Sequence, residues 1–145
     1  HFQLNLFTSM KICEAFLSEL ISSRSSLVFI SSIAGKEYLG APTPYSAVKS
    51  AVNIYVKDLS KRLGSRGVRV NAISPGNILF EGGNWDKKIK KDQFAIQKFI
   101  SEAVALQRLG KPDEISKVVK FLLSEDASFI TGSNIVVDGG QLNAY

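Results

Sequence analysis

Tyr45 and Lys49 are the two residues whose types and spacing most clearly suggest chemistry. They are four residues apart, and on a helix this spacing places both side chains on one face, one turn apart. A free tyrosine has a pKa of about 10, so its phenolate is scarce at pH 7. A cation within a few ångströms favours the ionised form. The pair is therefore suited to general acid–base catalysis.

Ser32 adds a hydroxyl group upstream of this pair. It follows the apolar run from Leu27 to Ile30, which predicts a buried strand, and it precedes the loop Ile33-Ala34-Gly35. Open α/β sheets bind their ligands at the carboxyl ends of the strands. The sequence therefore places the Ser32 hydroxyl where such a fold has its site.

These residues together resemble the catalytic core of the short-chain dehydrogenase/reductase family, and within it the 3-oxoacyl-[acyl-carrier-protein] reductase-like members. The resemblance depends on the Ser-x-x-Gly turn at Ser32, on Tyr45-x-x-x-Lys49 and on the later Pro75-Gly76 segment. Tyr-x-x-x-Lys by itself is weak, because many helices contain it by chance. The alternative is an amphipathic helix with a half-exposed tyrosine and a solvated lysine, and the combination of motifs disfavours it.

The chain has 145 residues, of which 45% are hydrophobic and 21% are charged, which indicates a globular chain of one domain at most. No run approaches the ~20 apolar residues that span a bilayer. Lys11, Glu14 and Glu19 interrupt the N-terminal region, which argues against a signal peptide. Cys13, the single cysteine, is interpreted as a core residue and fits a reducing, cytoplasmic location.

The formal net charge is +5, and much of it comes from one basic cluster, Lys87, Lys88, Lys90 and Lys91. A basic run can bind nucleic acid, but no aromatic platform, zinc-ligand spacing or helix-turn-helix pattern accompanies this one. We therefore interpret the cluster as a solvated helix face, with no nucleic-acid or membrane partner and no metal site. A mild attraction for anionic substrates or carriers remains open.

The apolar periodicity predicts seven elements in the order α-β-α-β-α-α-β, which implies a parallel sheet with right-handed crossovers. The predicted fold class is α/β, the C-terminal part of a Rossmann-like doubly wound sheet whose N-terminal strands are missing. The predicted helices are 5–22, 45–63, 94–106 and 112–124, and the predicted strands are 27–30, 68–73 and 134–137.

The family's Gly-rich turn, which holds the cofactor pyrophosphate at a helix N-terminus, has no counterpart in the sequence. Residues 1–145 are therefore predicted to be the C-terminal portion of a single NAD(P)-binding domain. A complete member would need about 90 further residues. The alternative is a catalytically inactive, truncated fragment that acts only as a structural or oligomeric remnant.

The resemblance implies reversible hydride transfer between NAD(P)H and a small carbonyl or alcohol, with the cofactor carrying the hydride. It implies that Tyr45 exchanges the proton, that Lys49 stabilises the phenolate and binds the nicotinamide ribose, and that Ser32 holds the substrate oxygen. It implies that Asn5 holds a water molecule of the proton relay. The residues expected to line the nicotinamide pocket are Pro75, Gly76 and Ile78.

Two positions near the Pro75-Gly76 segment are atypical of the family. Phe80 stands where the family usually has a threonine that bonds the cofactor, and a phenyl ring cannot make that bond. Trp85 lies in the stretch that matches the mobile lid, so it is a candidate substrate contact, with core packing as the alternative.

The resemblance also implies a homodimer or homotetramer formed through helices 5–22 and 45–63. The sequence does not distinguish NAD from NADP and does not identify the substrate.

Overall fold

The computed structural model describes residues 1–143 and contains a three-stranded parallel sheet. The strands are β1 (Ser26–Ile30), β2 (Arg69–Pro75) and β3 (Asn134–Val137), and they pair in that order. Val28 of β1 lies beside Asn71, and Ile73 of β2 lies beside Ile135. Every connection contains a helix, which confirms the predicted α/β class and the predicted number of strands.

The helices lie on both faces of the sheet, and their bounds are α1 (Thr8–Ala15), α2 (Leu17–Ser22), α3 (Thr43–Leu63), α4 (Asn84–Lys91), α5 (Gln93–Ala103) and α6 (Pro112–Leu123). A π-helical turn, Gln3–Phe7, precedes α1. The 3-10 turns are Ile33–Gly35, Gly64–Arg66 and Glu125–Ala127.

The prediction of one helix over residues 5–22 was wrong, because the segment consists of the π-helical turn, α1 and α2. Phe16 separates the two α-helices with φ −106° and ψ 17°. Periodicity does not detect this break because the hydrogen bonds continue across it, from the Phe16 amide to the Ile12 carbonyl and from the Leu20 amide to the Phe16 carbonyl. The side chains therefore keep their helical spacing.

Helix α4 is not among the four helices predicted with bounds, because only two of its eight residues, Trp85 and Ile89, are apolar. The lysine cluster was nevertheless interpreted as a solvated helix face, and its four lysines are exposed on this helix. Its charges follow the helix dipole, with Asp86 in the first turn and Lys88, Lys90 and Lys91 in the last. Asp86 also accepts hydrogen bonds from the Gly82 amide and from the Lys90 amine. These local charges favour the helix, and Trp85 and Ile89 pack its apolar face against α5 and the segment after it.

The core has two layers, one on each face of the sheet. On the α3 face, buried residues of α3 such as Val52 and Val56 pack against Val70 and Ala72 of β2. On the α6 face, Ile73 and Leu122 are fully buried. A third cluster joins α4, α5 and the segment after α5 around Ile100, Val104 and Leu109. Trp85, Ile96 and Phe99 of this third cluster also line the cavity described below.

Cys13 is buried between α1 and α3, in agreement with its interpretation as a core residue. Burial raises the pKa of its thiol, although a hydrogen bond with Tyr55 opposes that rise. Burial also raises the pKa of Tyr55 to about 12. Both groups therefore stay protonated at neutral pH and contribute packing.

The first turn of helix α6 contains the carboxylate group of Glu114, which accepts hydrogen bonds from three N–H groups. Glu114 accepts hydrogen bonds from Arg108 at 2.6 and 2.8 Å and from the Lys111 amide at 2.8 Å. These bonds, those from Arg108 above all, lower the pKa of Glu114 from 4.5 to about 2. Since the pKa is lower in the folded state, Glu114 stabilises the fold above the unfolded-state pKa, and this contribution disappears as the pH falls towards 2.

We therefore expect Glu114→Gln to lower the melting temperature at pH 7, and the difference from the wild type to shrink as the pH falls from about 5 to 2. Thermal melts of both proteins across this pH range measure the difference in melting temperature. Glu102→Gln is the control, because Glu102 lies 3.9 Å from Lys98 and both side chains are 66% exposed. An equal, pH-independent effect of both substitutions would contradict the assignment.

Candidate active site

One cavity of about 690 Å³ opens at the carboxyl ends of β1 and β2, and Ser32, Tyr45 and Gly76 all line it. The structure thus brings together the hydroxyl group after β1, the phenol at the start of α3 and the glycine after β2. The other wall consists of residues from α4 and α5, among them Trp85, Lys88 and Phe99. The volume is within the range of pockets that bury a small ligand.

Ser32 is fixed by the turn that follows it. Its backbone is extended, and its Oγ accepts a hydrogen bond of 3.2 Å from the Ala34 amide, which caps the 3-10 turn Ile33–Gly35. A hydroxyl oxygen that accepts this bond can still donate its own proton to a ligand. The Ser32 hydroxyl group can therefore donate a hydrogen bond to a ligand in the cavity, and its role in holding a substrate oxygen stays a prediction.

The Ser32 turn approaches α3 so closely that only glycine fits at position 35. A Cβ on Gly35 would lie 2.6 Å from the Lys49 carbonyl carbon and 2.8 Å from the Ser50 nitrogen. Two side chains of α3 bond the Gly35 carbonyl oxygen, Ser50 Oγ at 2.8 Å and Asn53 Nδ2 at 3.2 Å. This contact sets the distance between Ser32 and the helix that carries Tyr45.

Ser31 makes a second connection between β1 and α3. Its buried Oγ lies 3.1 Å from the Lys49 carbonyl oxygen and 2.6 Å from Asn53 Oδ1. Ser31 and Asn53 position the site, and the sequence analysis missed both of them. A signal for Asn53 was present, because it follows Lys49 by four residues and so lies on the same face of α3.

Tyr45 and Lys49 lie together on α3, as their spacing predicts. Lys49 Nζ is 5.7 Å from the centre of the Tyr45 ring. Its side chain is buried, and the amine donates a 2.9 Å hydrogen bond to the Ile30 carbonyl oxygen at the end of β1. Burial lowers the pKa of Lys49. The cation is thus held between the phenol and the strand end, behind the cavity.

Asn5 lies in the π-helical turn and is half-buried. Its Nδ2 donates to the His1 carbonyl oxygen at 3.2 Å, and the His1 ring packs edge-on against Tyr45 at 5.8 Å. The turn therefore contacts the helix of the site, although Asn5 does not line the cavity. Single π-helical turns are frequent at functional sites. The role of Asn5 in a water relay stays a prediction.

The three residues predicted to line a nicotinamide pocket do not all line the same cavity in the structure. Gly76 lines the main cavity, and a Cβ there would lie 2.5 Å from Gln141 Nε2. Pro75 ends β2 without lining the cavity. Ile78 pairs with Gly110 and lines a second pocket of about 100 Å³. Cofactor contacts at Pro75 and Ile78 stay predictions.

Trp85 has the core packing that the sequence analysis gave as its alternative role, and its contact with a substrate stays a prediction. Its indole stacks on Phe99 with ring centres 5.2 Å apart and 18° between the planes, within the cluster around Ile100. The same two rings line the main cavity. Trp85 is therefore both a packing residue and part of the cavity wall. Phe80, in contrast, is 54% exposed and does not line the cavity.

The C-terminal segment closes one side of the cavity, and the sequence analysis did not assign it. Gln141 is buried, lines the cavity and bonds the Asp138 carbonyl oxygen at 2.7 Å. The Asp138 carboxylate accepts hydrogen bonds from the amides of residues 140, 141 and 142. The amide group of Asn143 bonds Glu37 at 3.0 Å, in the loop before α3.

Within residues 1–143 there is no cluster of three or more histidine, cysteine, aspartate or glutamate side chains that could hold a metal ion. No helix in that range is both long enough and apolar enough to cross a bilayer.

Comparison with known proteins identifies the family. The sequence model of a family described as enoyl-(acyl carrier protein) reductase matches residues 1–141. The chain is also 42% identical, over 123 residues, to isoepoxydon dehydrogenase from Aspergillus clavatus, a match that covers 82% of this chain and 46% of that protein. The chain belongs to the short-chain dehydrogenase/reductase family.

Two further members of the short-chain dehydrogenase/reductase family support the resemblances inferred from sequence. The chain is 36% identical over 138 residues to the 3-oxoacyl-[acyl-carrier-protein] reductase of Chlamydia trachomatis, covering 94% of this chain and 53% of that one. L-sorbose reductase from Gluconobacter frateurii, solved with NADPH and L-sorbose, matches 99% of this chain and 57% of its own, with a TM-score of 0.91 and 25% identity. The chain spans about half the length of the curated relatives it matches.

Proposed function

We propose that this chain is the catalytic part of an NAD(P)-dependent oxidoreductase that interconverts a small carbonyl compound and the corresponding alcohol. The observation that carries the proposal is the convergence of Ser32 and Tyr45 on one cavity, with Lys49 directly behind Tyr45. A bound nicotinamide supplies the hydride. The protein supplies position, a proton and a hydrogen-bond donor for the substrate oxygen.

Each residue has a distinct role in the proposal. Tyr45 donates its phenolic proton to the carbonyl oxygen in reduction and takes it back in oxidation. Ser32 donates a hydrogen bond to the same oxygen. Lys49 stabilises the phenolate as it forms and binds the nicotinamide ribose through the donors that Ile30 leaves unused, since an ammonium group has three. Asn5 holds a water molecule that returns the proton to Lys49 and Tyr45.

The residues present fit the nicotinamide end of such a cofactor. The cavity has room for a flat ring beside a substrate, and Gly76 at its edge adds no side chain. Lys49 supplies donors beside Tyr45, although it does not itself line the cavity. None of the 145 residues forms the Gly-rich phosphate turn, so this chain contributes the reacting end of the site and not the pyrophosphate contacts.

We also propose that the protein works as a homodimer or homotetramer. Large apolar side chains are exposed along the π-helical turn, α1 and the α1–α2 junction, including Leu4 at 76%, Ile12 at 55% and Phe16 at 57%, and Ile54 of α3 is exposed at 73%. Such a surface favours a protein–protein contact. The second candidate function is that of a fragment that only packs against its own copies, and the same exposed apolar surface supports it.

A cytoplasmic location stays a prediction.

Cofactor titrations distinguish the two candidates. We expect the complete protein to bind NADPH or NADH with micromolar affinity, measured by nicotinamide fluorescence, and to oxidise the cofactor when a carbonyl compound is added. Residues 1–145 alone, assayed in parallel, should bind it far more weakly because the phosphate turn is absent. A complete, folded protein that binds neither nucleotide would overturn the oxidoreductase proposal.

A further inference from the structure

Lys88 is a cation in the wall of the cavity that contains Ser32 and Tyr45. Its amine lies 4.3 Å from the centre of the Trp85 ring, three residues earlier on α4, and that ring is stacked on Phe99. A cation over an aromatic face is held by the ring's electron distribution while its remaining donors stay free. Lys88 is thus the member of the basic cluster that the tertiary structure brings to the site.

The charges around Lys88 leave it without a carboxylate partner. Asp86, on the same helix, is bonded to Lys90 at 2.8 Å and to the Gly82 amide. Among the described residues, no ion pair involves Lys88 and no aspartate or glutamate lines the cavity. Asp138, close to the Gly76 edge, is occupied by three backbone amides. Within residues 1–143, the cavity lining therefore contains one cationic side chain, Lys88, and no carboxylate.

The remaining lining favours a ligand with an apolar body. Much of the wall consists of Ile33, Leu39, Pro42, Trp85, Ile96 and Phe99. A substrate with its carbonyl group at Ser32 and Tyr45 would pass along these side chains before reaching the ammonium group of Lys88. We propose that Lys88 selects carbonyl substrates that carry an anionic group, a carboxylate or phosphate, separated from the carbonyl by an apolar segment.

This inference rests on the proposed oxidoreductase function and adds a substrate class to it. Lys88 acts as a specificity residue and takes no part in proton or hydride transfer. Because Lys88 is exposed, the attraction for an anion is screened by salt. The preference for anionic substrates should therefore decrease as the ionic strength rises, whereas turnover of neutral substrates should not.

The test compares 4-oxopentanoate with its methyl ester, two ketones that differ chiefly in the negative charge, on the complete protein. We expect Lys88→Met, which keeps the apolar stem, to lower kcat/KM for the acid about tenfold through KM, and to leave the ester within twofold. Lys87→Met removes one charge from the same helix outside the cavity lining and should change neither substrate. Equal losses for acid and ester would overturn the proposal.

Two additional measurements are needed. The first distinguishes a substrate anion at Lys88 from a cofactor phosphate, and the second distinguishes failure of the anion-site proposal from failure of the proposed oxidoreductase function. If Lys88→Met raises KM for the nicotinamide cofactor instead, the anion at Lys88 is a cofactor phosphate and the substrate assignment is wrong. Trp85 is the one tryptophan in these 145 residues, so its fluorescence reports ligand binding without turnover, and Trp85→Phe identifies its signal. If the protein reduces no ketone, the proposed function fails. The anion site would still be supported if the wild type bound the acid more tightly than the ester and Lys88→Met abolished this difference. Equal binding of acid and ester by the wild type would refute the anion site.

Discussion

Tyr45→Phe is expected to lower the turnover of the complete enzyme by about 10³-fold while leaving cofactor binding nearly unchanged. The substitution removes only the phenolic hydroxyl group. The phenyl ring can keep its contacts with His1 and Lys49, so the start of α3 should not move. Without the hydroxyl group, the substrate oxygen has no proton donor at this position. Steady-state kinetics with NAD(P)H and a carbonyl substrate, together with a cofactor titration, measure both effects.

Tyr38→Phe is the matched control for this prediction, because it removes the same atom from a side chain that is 88% exposed. It should retain wild-type turnover. If Tyr45→Phe kept more than half of the wild-type activity, Tyr45 would not be the proton donor. If both substitutions lost activity equally, the effect would not be specific to the cavity.

Gly35→Ala is expected to lower turnover about 100-fold, although residue 35 does not touch the substrate. The added methyl group would lie 2.6–2.9 Å from atoms of Lys49 and Ser50, two of which belong to the helix backbone. The Ser32 turn and α3 must therefore move apart. A displacement of about 1 Å between Ser32 and Tyr45 is enough for a loss of this size. The strain also costs roughly 1–3 kcal/mol of stability.

Gly64→Ala provides the control for this second prediction. Gly64 has φ −57°, and a Cβ there meets no atom within 4 Å, so alanine fits without strain. It should leave turnover unchanged and the melting temperature equal or slightly higher. The kinetics distinguish a positioning effect from general destabilisation, because Gly35→Ala should reduce kcat even at temperatures where circular dichroism shows the protein to be folded. Wild-type kcat in a folded Gly35→Ala variant would contradict the positioning role.

Much of the architecture could be predicted because it depends on local patterns. The apolar runs identified three strands, and the helix predicted over residues 45–63 corresponds to α3, Thr43–Leu63. The boundaries of α5 and α6 differ from the predicted ones by three residues or fewer. The sequence analysis missed the break at Phe16 and gave no bounds for α4, although it interpreted the lysine cluster as a solvated helix face. The break keeps the helical spacing of the side chains, and the apolar face of α4 consists of only two residues, Trp85 and Ile89.

Part of the site could also be predicted. The four-residue spacing placed Tyr45 and Lys49 together, and the strand end placed Ser32 near them, since both inferences follow from the geometry of single elements. Ile78 shows the limit of such reasoning. It follows Gly76 by two residues, yet the pairing of its backbone with Gly110 directs it to a different pocket. That pairing depends on a segment more than thirty residues away in the sequence, which no local pattern contains.

The sequence by itself determined the types of the reactive groups, their order along the chain and the parallel α/β class, because periodicity and short spacings are properties of single helices and strands. The tertiary structure decided which residues share a space. It brought Ser31 and Asn53 together behind the site, folded Gln141 against Gly76, and placed Lys88, out of four similar lysines, in the cavity wall. These contacts join segments distant in the chain, and they form only when packing of the core fixes the helices against the sheet.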